Sequence, residues 1–187
     1  MPQAIIHVLV PIILLSIFRH IYYKKTKKRF PLQYVLIGGL AGIIPDLDIP
    51  IFWVMYYFGY TMEQIHRTFL HTLFIPAIFL VLAFISKYTI KKKIGRNKLS
   101  IQIIFTLLAF GSLMHLILDA TLAGYITPFY PLSDRVIGTG FPFTVFPEHM
   151  AIFLLATLDG AIFILWVLYL EIKHKISDFI WKYYFSA

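Results

Sequence analysis

The chain contains no cysteine, so neither a disulfide framework nor a thiolate metal site is open to it. Charge is scarce too. Only 14% of the 187 residues are Asp, Glu, Lys or Arg, against about 25% in a soluble domain. No Lys or Arg precedes the first apolar run, and a basic cluster follows it. A cleavable signal peptide has the reverse charge order, so the run reads as an uncleaved anchor with the N-terminus outside. No internal repeat and no low-complexity linker marks a domain boundary. The length fits one domain over residues 1–187 and is too short for two.

What is plentiful is apolar surface. Hydrophobic residues make up 59% of the chain, and mean hydropathy is +0.78. Apolar runs cover residues 2–18, Tyr34–Phe58, Phe69–Ser86, Leu99–Ala123 and Met150–Leu170. Each is near the roughly 20 residues that cross a bilayer as a helix. The composition predicts an all-α integral membrane protein with about five transmembrane helices. Pro45 and Pro50 interrupt the second run. Proline removes a helical hydrogen bond and clashes with the preceding turn. The second helix should therefore open at Pro45–Pro50, and Ile51–Tyr60 should continue as a short helix or an interfacial segment. Gly38, Gly39, Ala41 and Gly42, just before the break, let another helix pack close.

A net charge of +8 raises the question of nucleic acid, but the basic residues sit in short clusters between apolar runs. That is the pattern of cytoplasmic loops, and nucleic acid is not an expected partner. With five spans, one set of loops holds fifteen Lys and Arg and the other holds only Arg67 and Arg135. The fifteen belong in the cytoplasm by the positive-inside rule. The N-terminus, the Gly59–Arg67 loop and the 124–149 loop then lie outside, and the C-terminus lies inside. The expected location is the plasma or inner membrane.

Depth follows at about 1.5 Å per helical residue, counted from each cytoplasmic end. His7 and Asp159 come out roughly 17 Å up, and Asp46 roughly 18 Å. His71 and His115 come out at roughly 22–24 Å, and Asp119 near ~30 Å. Polar residues from five different spans thus fall in one layer, between the middle and the outer surface. Charged groups in such runs are costly and mark functional sites by default.

Each of these residues also has a plainer reading. His115 and Asp119 stand i and i+4 on one face with Ser112, either as two ligands or as a buried hydrogen-bonded pair. His66 and His71, five apart, point about 140° away from each other on an ideal helix. They serve one site only if His66 sits loosely at the helix start; otherwise His66 and Arg67 are interfacial. His7, beside Pro11, reads alone as a satisfied core histidine. Asp46 and Asp48 repel each other and need protons or a counter-ion. Asp159 reads as a residue that orients a histidine, though a ligand or a helix-bending role is also open. Glu148 suits a helix start.

Oxygen and imidazole donors without thiolate suit a divalent ion: zinc first, with manganese or ferrous iron as alternatives. Seven candidate ligands exceed the three or four of one zinc, so one or two ions fit. Two-metal sites favour phosphoester hydrolysis. Arg67 would then hold a phosphate oxygen, and Asp46 or Asp48 would act as general base.

The order of motifs is itself informative. His7 is followed by glycine-rich sequence into Pro45-Asp46-Leu47-Asp48. Next come His66-Arg67-Thr68-Phe69-Leu70-His71-Thr72, His115-Leu116-Ile117-Leu118-Asp119, Gly124 and Pro128. This order resembles the YdjM-type family of membrane-bound metal-dependent hydrolases. The family pattern has Ser where this chain has Thr72, which keeps the hydroxyl. A more distant similarity is to the soluble, all-α zinc-dependent phospholipases C. The resemblance implies a metal site from His7, Asp46, Asp48, His66, His71, His115 and Asp119, and a hydrolytic activity. Asp159, Thr72 and Ser112 are expected around those ligands.

The expected function is a membrane-bound metal-dependent hydrolase. Its substrate would be an ester or phosphoester of a lipid or lipid-linked molecule at the outer half of the membrane. A metal-ion or proton transporter and a structural metal-binding membrane protein are the alternatives. The inner half of the spans carries no core-facing carboxylate or histidine for a continuous path.

Overall fold

The computed structural model describes residues 4–66, 68–90, 92–95 and 98–178. Among these residues all the regular secondary structure is helical, with no β-strand and only two isolated bridges, Ile94–Leu99 and Ile126–Ile137. The long helices are α1 (Ala4–Thr26), α5 (Phe74–Thr89), α6 (Ile101–Leu118) and α8 (Glu148–His174). The short ones are α2 (Leu32–Leu40), α3 (Asp48–Tyr56), α4 (Met62–Ile65) and α7 (Phe141–Val145). A π-helical turn, Asp119–Ala123, extends α6.

Three of these helices are long and apolar enough to cross a membrane: α1, α6 with its extension, and α8. The segments Leu32–Ile43 and Pro45–Tyr56 together make a fourth, bent by 51°. With 16 residues α5 is shorter, about 24 Å of helix against about 30 Å of hydrocarbon. Five elements run between the two ends of the bundle if α5 is counted.

The break differs in detail from its expectation. It lies between two 3-10 turns, Ala41–Ile43 and Pro45–Leu47. Pro50 does not break anything. It sits in the first turn of α3, which begins at Asp48, where a proline's missing N–H has no helical partner to lose. The third span differs as well. Phe69–His71 forms a separate 3-10 turn, and α5 starts only at Phe74.

Packing ties both ends together. At the end that carries the basic links, Leu15, Tyr34, Val35 and Leu107 form an apolar cluster from α1, α2 and α6. The Ser100 amide, at the start of α6, donates to the Tyr34 hydroxyl at 2.6 Å. Further along, α2 and α6 touch backbone to backbone: a Cβ at Gly111 would overlap the Gly38 carbonyl and Ala41. α5 lies along α6, whereas α8 leans on α1 and α7. The 124–140 loop is pinned to the other end. Leu73 N–H donates to the Pro128 carbonyl at 2.9 Å, and Thr139 N–H to the Ala120 carbonyl at 2.7 Å. Outward faces stay apolar, as in Trp53, Phe84, Phe153 and Leu165.

Candidate metal centre

At the end opposite the basic links, five short pieces of chain converge. They are the first turns of α1, the Pro45–Leu47 turn running into α3, His66 after α4, the Phe69–His71 turn and the last turn of α6. The structure brings His7, Asp46, Asp48, His66, His71, His115 and Asp119 into three overlapping groups. These are His7–His115–Asp119, Asp46–His71–His115 and Asp48–His66–His71, with the donor atoms of each group within 4.8 Å of one another.

Local backbone explains the convergence. His66 follows α4 with φ −72° and ψ 139°, an extended conformation. The chain then re-enters a 3-10 turn that ends on His71. The 140° separation of an ideal helix therefore does not apply, and both rings reach Asp48. His66 Nδ1 lies 3.0 Å from Asp48 Oδ1, and His71 Nδ1 lies 3.0 Å from Asp48 Oδ2. The two carboxylates that repel in sequence are parted by their turn: Asp48 faces this pair, while Asp46 faces the Nε2 side of His71.

The heart of the centre is a set of acceptors. His115 Nδ1 lies 2.7 Å from the Gly42 carbonyl. A carbonyl only accepts, so Nδ1 carries the hydrogen and Nε2 of the neutral ring presents a lone pair. That Nε2 lies 3.2 Å from His71 Nε2 and 3.6 Å from both Asp46 Oδ1 and Asp119 Oδ2. His71 Nε2 lies 3.5 Å from the same two oxygens. Neutral His71 has one N–H and two sets of acceptors to face, and its buried Nδ1 makes no aligned hydrogen bond. Whichever tautomer it takes, one lone pair points at other lone pairs. A positive charge resolves that conflict.

A metal ion fits the spacing. Ligands about 2.0–2.2 Å from a tetrahedral zinc stand roughly 3.3–3.6 Å apart along the edges of the tetrahedron. The His71–His115 separation, and those from each of these two rings to Asp46 and to Asp119, run from 3.2 to 3.6 Å. Magnitude argues in the same direction. A charged residue at the centre of a spanning helix costs about 2.5–3.5 kcal/mol. Three or four left uncompensated would offset most of the roughly 5–15 kcal/mol that holds a typical domain together.

His7 completes the cluster from α1. Its Nε2 lies 3.3 Å from Asp119 Oδ1, and its ring stacks on His115 with centroids 4.0 Å apart. Five of the seven members are buried, and Asp46 and His66 are partly exposed. The Asp46 side chain is 21% exposed, against 0–12% for His7, Asp48, His66, His71, His115 and Asp119. Asp46 is therefore the most exposed of the described ligands.

The remaining sequence candidates fall elsewhere. Thr72 and Ser112 are buried, but their hydroxyls donate to backbone carbonyls of Phe69 and of Leu108 and Ala109. Asp159 meets backbone: its Oδ1 accepts from the Ile6 amide at 2.8 Å. Arg67 lies outside the described residues. Sequence reasoning missed one participant, the Gly42 carbonyl that fixes the His115 ring. The glycine run pointed to close packing there, but no side-chain pattern announces a backbone acceptor.

No curated protein and no solved structure matches the chain. A family model described as YdjM inner membrane protein matches residues 1–185, nearly the full length, and the chain belongs to that family.

Proposed function

We propose that this is a membrane-bound metal-dependent hydrolase. It would cleave an ester or phosphoester of a lipid or lipid-linked substrate at the outer half of the plasma or inner membrane. The observation that carries this reading is the convergence of acceptors on His71 and His115, each with Asp46 and Asp119 oxygens 3.5–3.6 Å away, with Asp46 the most exposed of the described ligands.

His115 has one nitrogen to offer, because its Nδ1 is engaged by Gly42. The two groups that share His115 therefore describe one ion, with His7 approaching through Asp119. A second ion would use Asp48, His66 and the Nδ1 side of His71. Zinc suits the donor set best, with manganese or ferrous iron next. When bound, such an ion supplies a nucleophile from water at neutral pH and neutralises charge that develops on the scissile group.

The chain's own groups do the rest. Asp46, the most exposed of the group, would accept the proton of an attacking water where the ion does not take it as a ligand. Asp48 holds His66 and His71 in a fixed orientation. Arg67, between them in sequence, would hold a phosphate oxygen. With Asp46 acting as base, His71, His115 and Asp119 would leave the ion's fourth position to water, whereas the shell of a purely structural ion would be closed. An ion transporter needs further polar groups along the spans. Among the described residues, every buried histidine and aspartate belongs to this layer, and only Ser86 among the buried polar groups lies on α5 toward the basic end.

Metal analysis of the detergent-purified protein tests the reading, with Asp46→Ala and His115→Ala beside the wild type. Bound metal in the wild type and at least about a 100-fold loss of affinity in His115→Ala are expected, beyond the 10–100-fold typical of groups that only orient a ligand. Hydrolysis of phospholipids or lipid-linked phosphates should follow metal loading. Metal uptake into liposomes without hydrolysis would favour the transporter. Metal-free wild type would end both.

A further inference from the structure

We propose that Asp159, on α8, a helix that contributes no ligand to the centre, is the positioning residue for His7. The inference rests on reading the cluster as a metal centre. Asp159 belongs to none of the three ligand groups, and its Oδ1 is already engaged by the Ile6 amide at 2.8 Å. Ile6 stands near the described start of α1, and its amide takes its acceptor from α8 rather than from water. Ile6, His7 and Asp159 are all buried, and Asp159 stands eleven residues after α8 begins at Glu148, about 16 Å along its axis. A carboxylate reaching across from α8 acts as the missing cap and complements the positive end of α1.

The consequence falls on the next residue. His7 must hold its ring against His115 and its Nε2 near Asp119. Its own helix gives weak axial guidance at that level. Pro11 has no N–H to give the His7 carbonyl, and that carbonyl lies against Gly42, where a Cβ would overlap it. A smooth glycine contact lets α1 slide or turn. Helical residues are spaced 1.5 Å and 100° apart, so a slip of a fraction of one residue takes His7 away from Asp119. The Ile6–Asp159 bond sets the register that prevents this. It ties α8 to the centre through a single backbone amide.

The test compares Asp159→Asn, Asp159→Ala and Asp159→Glu, each alone and, for the last two, combined with His7→Ala. Zinc affinity is measured by chelator competition on the detergent-purified, metal-loaded protein, and melting temperature is measured in excess chelator. Asp159→Asn keeps an acceptor oxygen at the same reach and should bind zinc within about threefold of wild type. Asp159→Ala should lose roughly 10–100-fold, as outer partners of metal ligands do. Asp159→Glu keeps the charge but shifts the oxygen by one methylene, and should lose affinity too; it carries the test if Asp159→Ala does not fold. Neither double variant should be weaker than His7→Ala alone, because the cap acts through His7. Unchanged affinity in Asp159→Ala or Asp159→Glu overturns the proposal while leaving the metal centre standing. So does an additive double variant, or Asn behaving like Ala. A wild type that binds no zinc overturns the metal reading and this inference together.

Discussion

The two ends of this bundle are made of opposite materials. At the basic end the helices are regular and apolar side chains meet: Leu15, Val35 and Leu107 around Tyr34. At the other end the regular helices give way. A 3-10 turn carries Asp46, the first residue of α3 is Asp48, and an extended residue, another 3-10 turn and a π-helical turn carry His66, His71 and Asp119. The contrast has a physical cause. Apolar packing tolerates many arrangements and needs only volume. Metal ligands must bring several atoms to one point, and straight helices cannot aim donors from five segments at once. Non-helical backbone at membrane depth is allowed only where protein covers it, and here the neighbouring spans do.

That contrast can be tested by disturbing each end separately. Leu107→Ala should have the largest effect on stability, about 2–4 kcal/mol from lost burial and a residual cavity. Thermal or denaturant unfolding in detergent would read it, and zinc affinity of the folded fraction should stay unchanged. A loss of affinity as large as the loss of stability would mean that the two ends are not separable.

Gly42→Ala comes next and should affect both readouts. Its Cβ meets the His7 carbonyl, which is backbone and cannot rotate away, and the Gly42 carbonyl orients His115. Overpacking of this kind costs about 1–3 kcal/mol, and zinc affinity should drop with it. Melting temperature and chelator competition on the same preparation would show whether the losses travel together.

Tyr34→Phe is the mildest. It removes the hydroxyl that accepts from the Ser100 amide, a bond worth about 1 kcal/mol. A small fall in melting temperature with unaltered metal content is expected. A change in metal content would show that the start of α6 transmits strain to His115, along the helix they share.

Much of the site was legible in the sequence because charge in an apolar run has few innocent explanations. Counting residues from the basic clusters put His7, Asp46, His71, His115 and Asp159 at similar depths, and the Ile6–Asp159 bond joins α1 and α8 at that level. Helix geometry misled where the chain is not helical. His66 and His71 could share a site only with His66 free of the helix, and they meet because His66 is extended after α4 and His71 ends a separate 3-10 turn before α5. Pro50 looked like part of the break because proline usually disrupts helices, but a first turn has no hydrogen bond for it to disrupt. Asp159 was expected to orient a histidine, and the contact it makes is with the backbone amide beside His7, a partner that side-chain spacing does not announce.

The sequence by itself determined the environment and the inventory. Long apolar runs require a membrane, the absence of cysteine leaves only oxygen and imidazole donors, and the spacing of basic clusters sets the ends. These are properties of composition and order along one dimension. Only the tertiary structure decided which nitrogen of each ring faces the centre, that Asp46 and Asp48 face opposite sides of His71, and that Asp46 is the most exposed of the described ligands. The reason is that those choices are made by backbone atoms, the Gly42 carbonyl and the turns at Pro45 and Phe69. Their directions depend on what packs against them, not on any side chain that a sequence displays.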